Sequence, residues 1–239
     1  METSGALRMA EIVEVSHSKR NGMPASFPRR QSLMWIAQLG VLCATAAAHA
    51  RPSTQPKQTV LVVGDSLSAE YGLTRGSGWV ALLGKRLQDR PNIKVVNASI
   101  SGDTTSGGLS RLAPLLSAHH PTHVVIELGS NDALRGLPLK STQDNLVRMV
   151  QLCRKTGAKV VLVGMMLPPN YGQRYAAAFG GLYLQVAKAE QARLVPFFLK
   201  GVADRPDARD WFQGDGLHPL AKGHPIMLDN VWRELGPLL

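Results

Sequence analysis

Thr59-Val60-Leu61-Val62-Val63 runs directly into Gly64-Asp65-Ser66-Leu67-Ser68, and this junction decides the reading of the chain. Five β-branched or apolar residues in succession describe a buried strand, and Gly-Asp-Ser breaks it in a tight turn. Ser66 therefore falls at the carboxyl edge of a sheet, where open α/β folds keep their chemistry. A serine there is only an alcohol until a base lies within hydrogen-bond reach and a third group orients that base. The far end of the chain supplies such a pair in Asp215-Gly216-Leu217-His218-Pro219.

Beyond the junction, Trp79 to Leu87 has helical apolar spacing, and Ile93 to Val96 reads as a second strand. Thr104 or Thr105 is placed to cap a helix whose apolar face is Leu109, Leu112, Leu115 and Leu116. His123 to Leu128 is the third strand, broken at Gly129-Ser130-Asn131-Asp132, and a loop over Leu134 to Pro138 precedes a helix beginning near Ser141. Gly157 ends that helix, Lys159 to Gly164 is the fourth strand, and Met165 to Tyr171 is an irregular apolar loop. A helix over Tyr175 to Gln191, a fifth strand over Leu194 to Phe198 and a closing helix over Ala221 to Leu235 complete the chain. Strands that are apolar throughout and alternate with helices predict an α/β fold. The expected form is a three-layer α/β/α sandwich around a five-stranded parallel sheet. The breaks at Gly64-Asp65-Ser66, Ser101-Gly102-Asp103 and Gly129-Ser130-Asn131-Asp132 then share one edge, and the Asp215 to His218 loop reaches it.

The amino-terminal segment stands apart from this core. Arg29-Arg30, the apolar run Leu33 to Cys43 and the small-residue end Ala48-His49-Ala50 are the three parts of a secretory signal peptide over residues 1–50, cut after Ala50. Gln38 and the shortness of the apolar run argue against a membrane anchor. Residues before Met23 form a possible upstream extension, with Met9 and Met23 as alternative starts, and Arg29-Arg30 leaves twin-arginine export beside ordinary secretion. Residues 51–58 form a polar tether, and 59–239 form the domain, expected in the periplasm or outside the cell. The net charge of +10 comes from scattered Lys and Arg with no basic run interleaved with aromatics, so no nucleic-acid partner is expected. Cys153 lies in the apolar run Met149-Val150-Gln151-Leu152-Cys153 and is expected in the core. Without His or Cys pairs at ligand spacing, no metal is expected.

Each of these residues has a plainer reading. Ser66 can cap a following helix, Asn131 and Asp132 can be turn residues, and His218 beside Pro219 can be a surface histidine. Asp65 and Asp132 are expected to hydrogen-bond loop backbone, and Asp103 to be structural. His49, His119, His120, His123 and His224 have no comparable setting and are assigned nothing. A sandwich with a serine-rich loop after its first strand can also hold a phosphate or flavin without catalysis, which leaves Asp215, His218 and Asn131 unexplained.

Taken together, Gly-Asp-Ser-Leu at Ser66, Gly102, Gly-x-Asn-Asp at Asn131 and Asp-x-x-His at Asp215 and His218 resemble the four signature blocks of the SGNH hydrolases, also called GDSL esterases. Asn97 to Thr104, Glu127-Leu128-Gly129 and Leu167 to Gly172 resemble that family's bacterial periplasmic thioesterases, lysophospholipases and arylesterases. The resemblance implies a flavodoxin-like SGNH hydrolase fold and a catalytic triad of Ser66, His218 and Asp215. It also implies an oxyanion hole from the Ser66 and Gly102 backbone and the Asn131 amide. The implied reaction is cofactor-independent hydrolysis of small-molecule acyl esters and thioesters, with aryl esters, acyl-CoA and lysophospholipids as substrate classes. A carbohydrate O-deacetylase of the same family is the alternative. The resemblance further implies an acyl groove, for which Leu134, Leu137, Met166, Leu167 and Tyr171 are the available lining. A monomer in transient contact with a lipid surface is expected. The sequence departs from the thioesterase pattern at Ser130, where a glycine is usual.

Overall fold

A computed structural model describes residues 58–239. The expected signal peptide, its cleavage after Ala50 and the tether up to residue 57 lie outside the described residues. Gln58, read as the end of the tether, is instead the first residue of β1 (Gln58–Gly64), whose Val60, Leu61, Val62 and Val63 are fully buried. With β2 (Ile93–Asn97), β3 (His123–Glu127), β4 (Lys159–Val163) and β5 (Arg193–Val195), it forms a five-stranded sheet in the order β2-β1-β3-β4-β5. All pairs are parallel; Val62 lies opposite Asn97 on one side and Val125 on the other, and Val125 lies opposite Val161.

Five helices cover the sheet. α1 (Trp79–Arg86) packs on α6 (His224–Leu235), while α2 (Thr105–His119) packs on α4 (Leu139–Lys155) and α4 on α5 (Gln173–Ala189), a helical layer for each face. This is the expected sandwich, with the flavodoxin-like strand order. The order in which strands are added reverses beside β1, since β2 lies on one flank and β3 on the other. The crevice at the carboxyl ends of β1 and β3 is therefore the topological switch point at which such sheets bind ligands. Among the described residues no helix is long and apolar enough to cross a membrane.

Several local details differ from the sequence reading. Gly129-Ser130-Asn131-Asp132, read as a bare break, opens a short helix, α3 (Ser130–Leu134), closed by the Ala133 N–H to the Gly129 carbonyl at 3.1 Å. Ser, Asn and Asp are weak helix formers, so a five-residue helix leaves no periodic signal. α4 begins at Leu139 rather than near Ser141. The fifth strand stops at Val195, because Pro196 has no N–H to continue the ladder; Phe198, expected in that strand, instead donates its N–H to the Gly164 carbonyl at 2.9 Å. The last helix begins at His224, preceded by a tight turn over Ala221–Gly223. Of the two candidate caps for α2, Thr104 takes the role, accepting from the Gly107 N–H at 3.3 Å. Cys153 lies in the core as expected, and burial pushes its thiol up to about 12.

Candidate active site

Ser66 leaves β1 in a turn rather than a helix, with the Ala69 N–H on the Asp65 carbonyl at 2.9 Å. The helix-capping alternative for Ser66 is therefore overturned. Its hydroxyl instead meets Nε2 of His218 at 2.8 Å, and Nδ1 of His218 meets Oδ2 of Asp215 at 2.6 Å. The second Asp215 oxygen accepts the backbone N–H groups of Leu217, at 2.9 Å, and His218, at 3.1 Å. Burial opposes the charge on Asp215, but these two N–H groups and the His218 ring outweigh it and hold the carboxyl at about 2. Asp215 is then a permanent anion around neutral pH, so Nδ1 of His218 carries the proton and Nε2 faces Ser66 as an acceptor.

The histidine loop is closed by its own backbone. Phe212 and Pro219 form an antiparallel bridge, and the Gln213 N–H reaches the His218 carbonyl at 2.7 Å. Gln213 also donates its side-chain amide to the Tyr71 carbonyl at 2.9 Å, fastening this loop to the turn that carries Ser66. The Tyr71 ring lies 4.4 Å from the His218 ring, centroid to centroid, and is half exposed. Neither Tyr71 nor Gln213 was singled out in the sequence, where nothing in their neighbours marks them. His224, assigned nothing there, is buried and accepts the Trp79 N–H at 3.1 Å, tying the start of α1 to α6. Burial lowers its pKa, against a hydrogen bond to the Pro219 backbone.

The second half of the site comes from the loops after β2 and β3. The Ile100 N–H on the Gly64 carbonyl, at 3.0 Å, holds the β2 loop alongside the serine turn and brings Gly102 to it. Gly102 has φ +78°, a conformation side chains avoid. Asp103 pairs with Arg111 at 2.7 Å and accepts the Thr104 N–H at 3.0 Å, a structural role as expected. Asp132 accepts from the Thr105 N–H at 2.8 Å and the Thr105 hydroxyl at 2.5 Å, while Arg135 donates to the Gly102 carbonyl at 2.8 Å. These contacts lock α3, and with it Asn131, to the Gly102 loop. Asp132, expected to bond loop backbone, thus bonds the first N–H of α2 instead, and the Thr105 and Thr142 hydroxyls as well. Glycine is required here at Gly129, where φ is +120° and a Cβ would lie 2.4 Å from the Tyr183 hydroxyl. Ser130 is the first helical residue, so the side chain at that departure from the family pattern is tolerated.

The Asn131 amide donates to Oδ2 of Asp65 at 3.1 Å, and Oδ1 of Asp65 accepts the Leu67 N–H at 3.0 Å. The turn-residue reading of Asn131 misses this side-chain contact. Neither the Ser66 nor the Gly102 N–H has a hydrogen bond among the described residues. Asp215 and His218 thus line up on the Ser66 hydroxyl, Asn131 is tied to the neighbouring Asp65, and the Gly102 loop is tied to Gly64.

Of the five residues expected to line a groove, Met166 and Leu167 do. They face Ala176, Ala177, Gly180 and Gly181 of α5 across a groove of about 620 Å³. Leu134, at the end of α3, and the exposed Leu137 and Tyr171 are not among its lining residues. The small side chains of α5 open this groove. Among the described residues no group of three or more His, Cys, Asp or Glu side chains is placed to hold a metal ion.

A family model described as the GDSL-like Lipase/Acylhydrolase family matches residues 62–226. Esterase TesA of Pseudomonas aeruginosa is 54% identical over 183 residues, which cover 76% of this chain and 90% of that protein. The thioesterase 1/protease 1/lysophospholipase L1 of Escherichia coli is 41% identical over 181 residues, 76% of this chain and 85% of that one. The crystal structure of TesA matches with a TM-score of 0.73 over 76% of this chain and 100% of that one. A structure of the psychrotrophic esterase EstA from Pseudoalteromonas, inhibited by monoethylphosphonate, matches at 40% identity with a TM-score of 0.70, over 76% of this chain and 98% of that one.

Proposed function

The chain belongs to the GDSL-like lipase/acylhydrolase family, and from that membership we propose that it cleaves carboxylic esters and thioesters through an acyl-enzyme on Ser66. The observation that carries this reading is the unbroken run from Asp215 through His218 to the Ser66 hydroxyl, at 2.6 and 2.8 Å.

Ser66 attacks the acyl carbonyl while Nε2 of His218 takes its proton, and Asp215 stabilises the imidazolium that results. The Ser66 and Gly102 N–H groups and the Asn131 amide receive the negative oxygen of the tetrahedral intermediate. Its collapse returns the proton from His218 to the departing alcohol or thiol and leaves the acyl group on Ser66. Water, activated by the same imidazole, then releases the acid. No step needs a metal or cofactor.

Aryl esters, acyl-CoA and lysophospholipids are the substrate classes, with the acyl chain in the groove beside Met166 and Leu167. Flexible methionine side chains and a floor of Ala and Gly suit chains of varied length. Tyr71, Ile100, Leu137, Met166 and Leu217 are exposed on loops that follow each of the five strands in turn, an apolar rim suited to transient contact with a lipid surface. The protein is exported to the periplasm or beyond after cleavage at Ala50. N-terminal sequencing of exported protein should then begin at Arg51.

The test of the function is a panel of p-nitrophenyl esters from acetyl to dodecanoyl with wild type and Ser66→Ala. The proposal predicts that medium chains are cleaved and that Ser66→Ala loses all of them. Cleavage of acetyl esters alone would point to a deacetylase, and an active Ser66→Ala would place the nucleophile elsewhere.

A further inference from the structure

Two carboxyl groups lie under the serine turn with no part in the reaction above. Asp65 and Glu127, at the carboxyl ends of β1 and β3, are each almost wholly buried. Glu127 Oε2 accepts the Ser68 hydroxyl at 2.7 Å and faces the Asp65 N–H at 3.4 Å; Ser68 in turn accepts the Trp79 indole N–H at 3.1 Å. The backbone is shaped for this contact, because a Cβ on Gly64 would lie 2.8 Å from Glu127 Oε2 and 2.6 Å from the Ser68 hydroxyl. A side chain there would displace one or both.

We propose that Asp65, backed by Glu127, is a positioning residue for the reaction: its carboxylate fixes the orientation of the Asn131 amide that receives the oxyanion. The inference rests on the proposed role of Asn131. A side-chain amide can sit either way round, and its two ends differ in chemistry but hardly in shape. An ionised carboxylate accepts only. With Oδ2 of Asp65 at 3.1 Å, the nitrogen of Asn131 must face it, and the second N–H of the same nitrogen is left for substrate. Oδ1 cannot turn away, since it holds the Leu67 N–H.

Glu127 keeps this anion single. Burial, and next the Asp65 charge, push the Glu127 carboxyl well above its ordinary range, so it is the neutral member of the pair. Burial also raises Asp65, to about 6, against the Leu67 N–H, His218 and Asn131. The side chain is thus ionised around and above neutral pH. Two anions here would oppose the oxyanion forming above them; one suffices to hold the amide.

The test is a double-mutant cycle on the purified exported protein, following kcat and KM for p-nitrophenyl butyrate. Asn131→Ala loses a donor and should lower kcat by about 100- to 1,000-fold. Asp65→Asn presents donors as well as an acceptor to Asn131 and should lower kcat by about 10- to 100-fold with KM within about twofold. In the Asn131→Ala background Asp65→Asn should cost less than about threefold more, because its effect passes through that amide. Glu127→Gln, neutral and of the same shape, should cost no more than about fivefold.

Equal Asp65→Asn penalties in the two backgrounds, or full activity of Asp65→Asn alone, would overturn the proposal. Should Asp65→Asn fail to fold, Asp65→Ser carries the same comparison. Full activity of Asn131→Ala would instead refute the oxyanion role on which this inference depends, so the two failures are distinct.

Discussion

Two aspartates hold two polar side chains at this site, and their surroundings drive them in opposite directions. Asp215 sits in an exposed loop three residues from His218 and is held at about 2, where two backbone N–H groups and the imidazole outweigh its desolvation. Asp65 sits under the serine turn, takes the amide of Asn131 from 66 positions away and is raised to about 6, chiefly by burial. The difference shows what each can do. The exposed, strongly acidic carboxylate supports a charge that appears and vanishes on its histidine. The buried one fixes the geometry of a neutral group, at a cost in stability.

The sharpest way to break the first arm is Asp215→Asn. An amide cannot hold Nδ1–H as an anion does, and kcat should fall by about 1,000- to 10,000-fold in steady-state ester hydrolysis. A loss below tenfold would mean that His218 is oriented by its loop alone. Asn131→Ala ranks next, at about 100- to 1,000-fold, and its loss should appear in kcat rather than KM.

Asp65→Asn separates the two arms, because it should lower activity while raising stability. The native Asp65 carboxyl, at about 6 against an ordinary 3.8, binds its proton more tightly than the unfolded chain does. Wild-type stability from this group therefore falls as pH rises from about 4 to 6 and is level above that. The variant lacks that loss and should be more stable at pH 8 by an amount on the order of 3 kcal/mol, the gain disappearing below pH 4. Asp215, shifted the other way, contributes above its ordinary value and loses that contribution only as pH falls toward 2. Denaturant titrations at pH 4, 6 and 8 would show this pattern; a variant less stable at pH 8 would mean the carboxylate also supports the fold. The smallest effect should come from Tyr71→Ala, which removes the ring beside His218. It should cost kcat less than about tenfold, the worth of one aromatic contact.

The same contrast explains what was legible in the sequence. Strands β1 and β3 declare themselves as unbroken apolar runs, so the parallel sheet and the edge shared by Ser66, Gly102 and Asn131 follow from pattern alone. Asp215 and His218 are three residues apart, and a short-range motif carries their contact. The Asp65–Glu127–Asn131 arrangement joins segments more than 60 residues apart. Asp65 was expected only to bond its own loop, which it does through Leu67, and its second partner is visible only once β1 and β3 are neighbours. One signal was present: Glu127 is a carboxyl directly after the apolar run Val124-Val125-Ile126, and such a group must find partners when buried. Tyr71, Gln213 and His224 left no such trace, since each acts across loops whose approach depends on the whole fold.

In this mechanism the Ser66 hydroxyl oxygen carries the acyl group. Treating the active protein with a p-nitrophenyl alkylphosphonate and locating the adduct by peptide mass spectrometry tests this directly. One phosphonyl group on the peptide containing Ser66, with none on the Ser66→Ala protein, is the predicted result. A fully inactivated enzyme labelled on any other residue would contradict it.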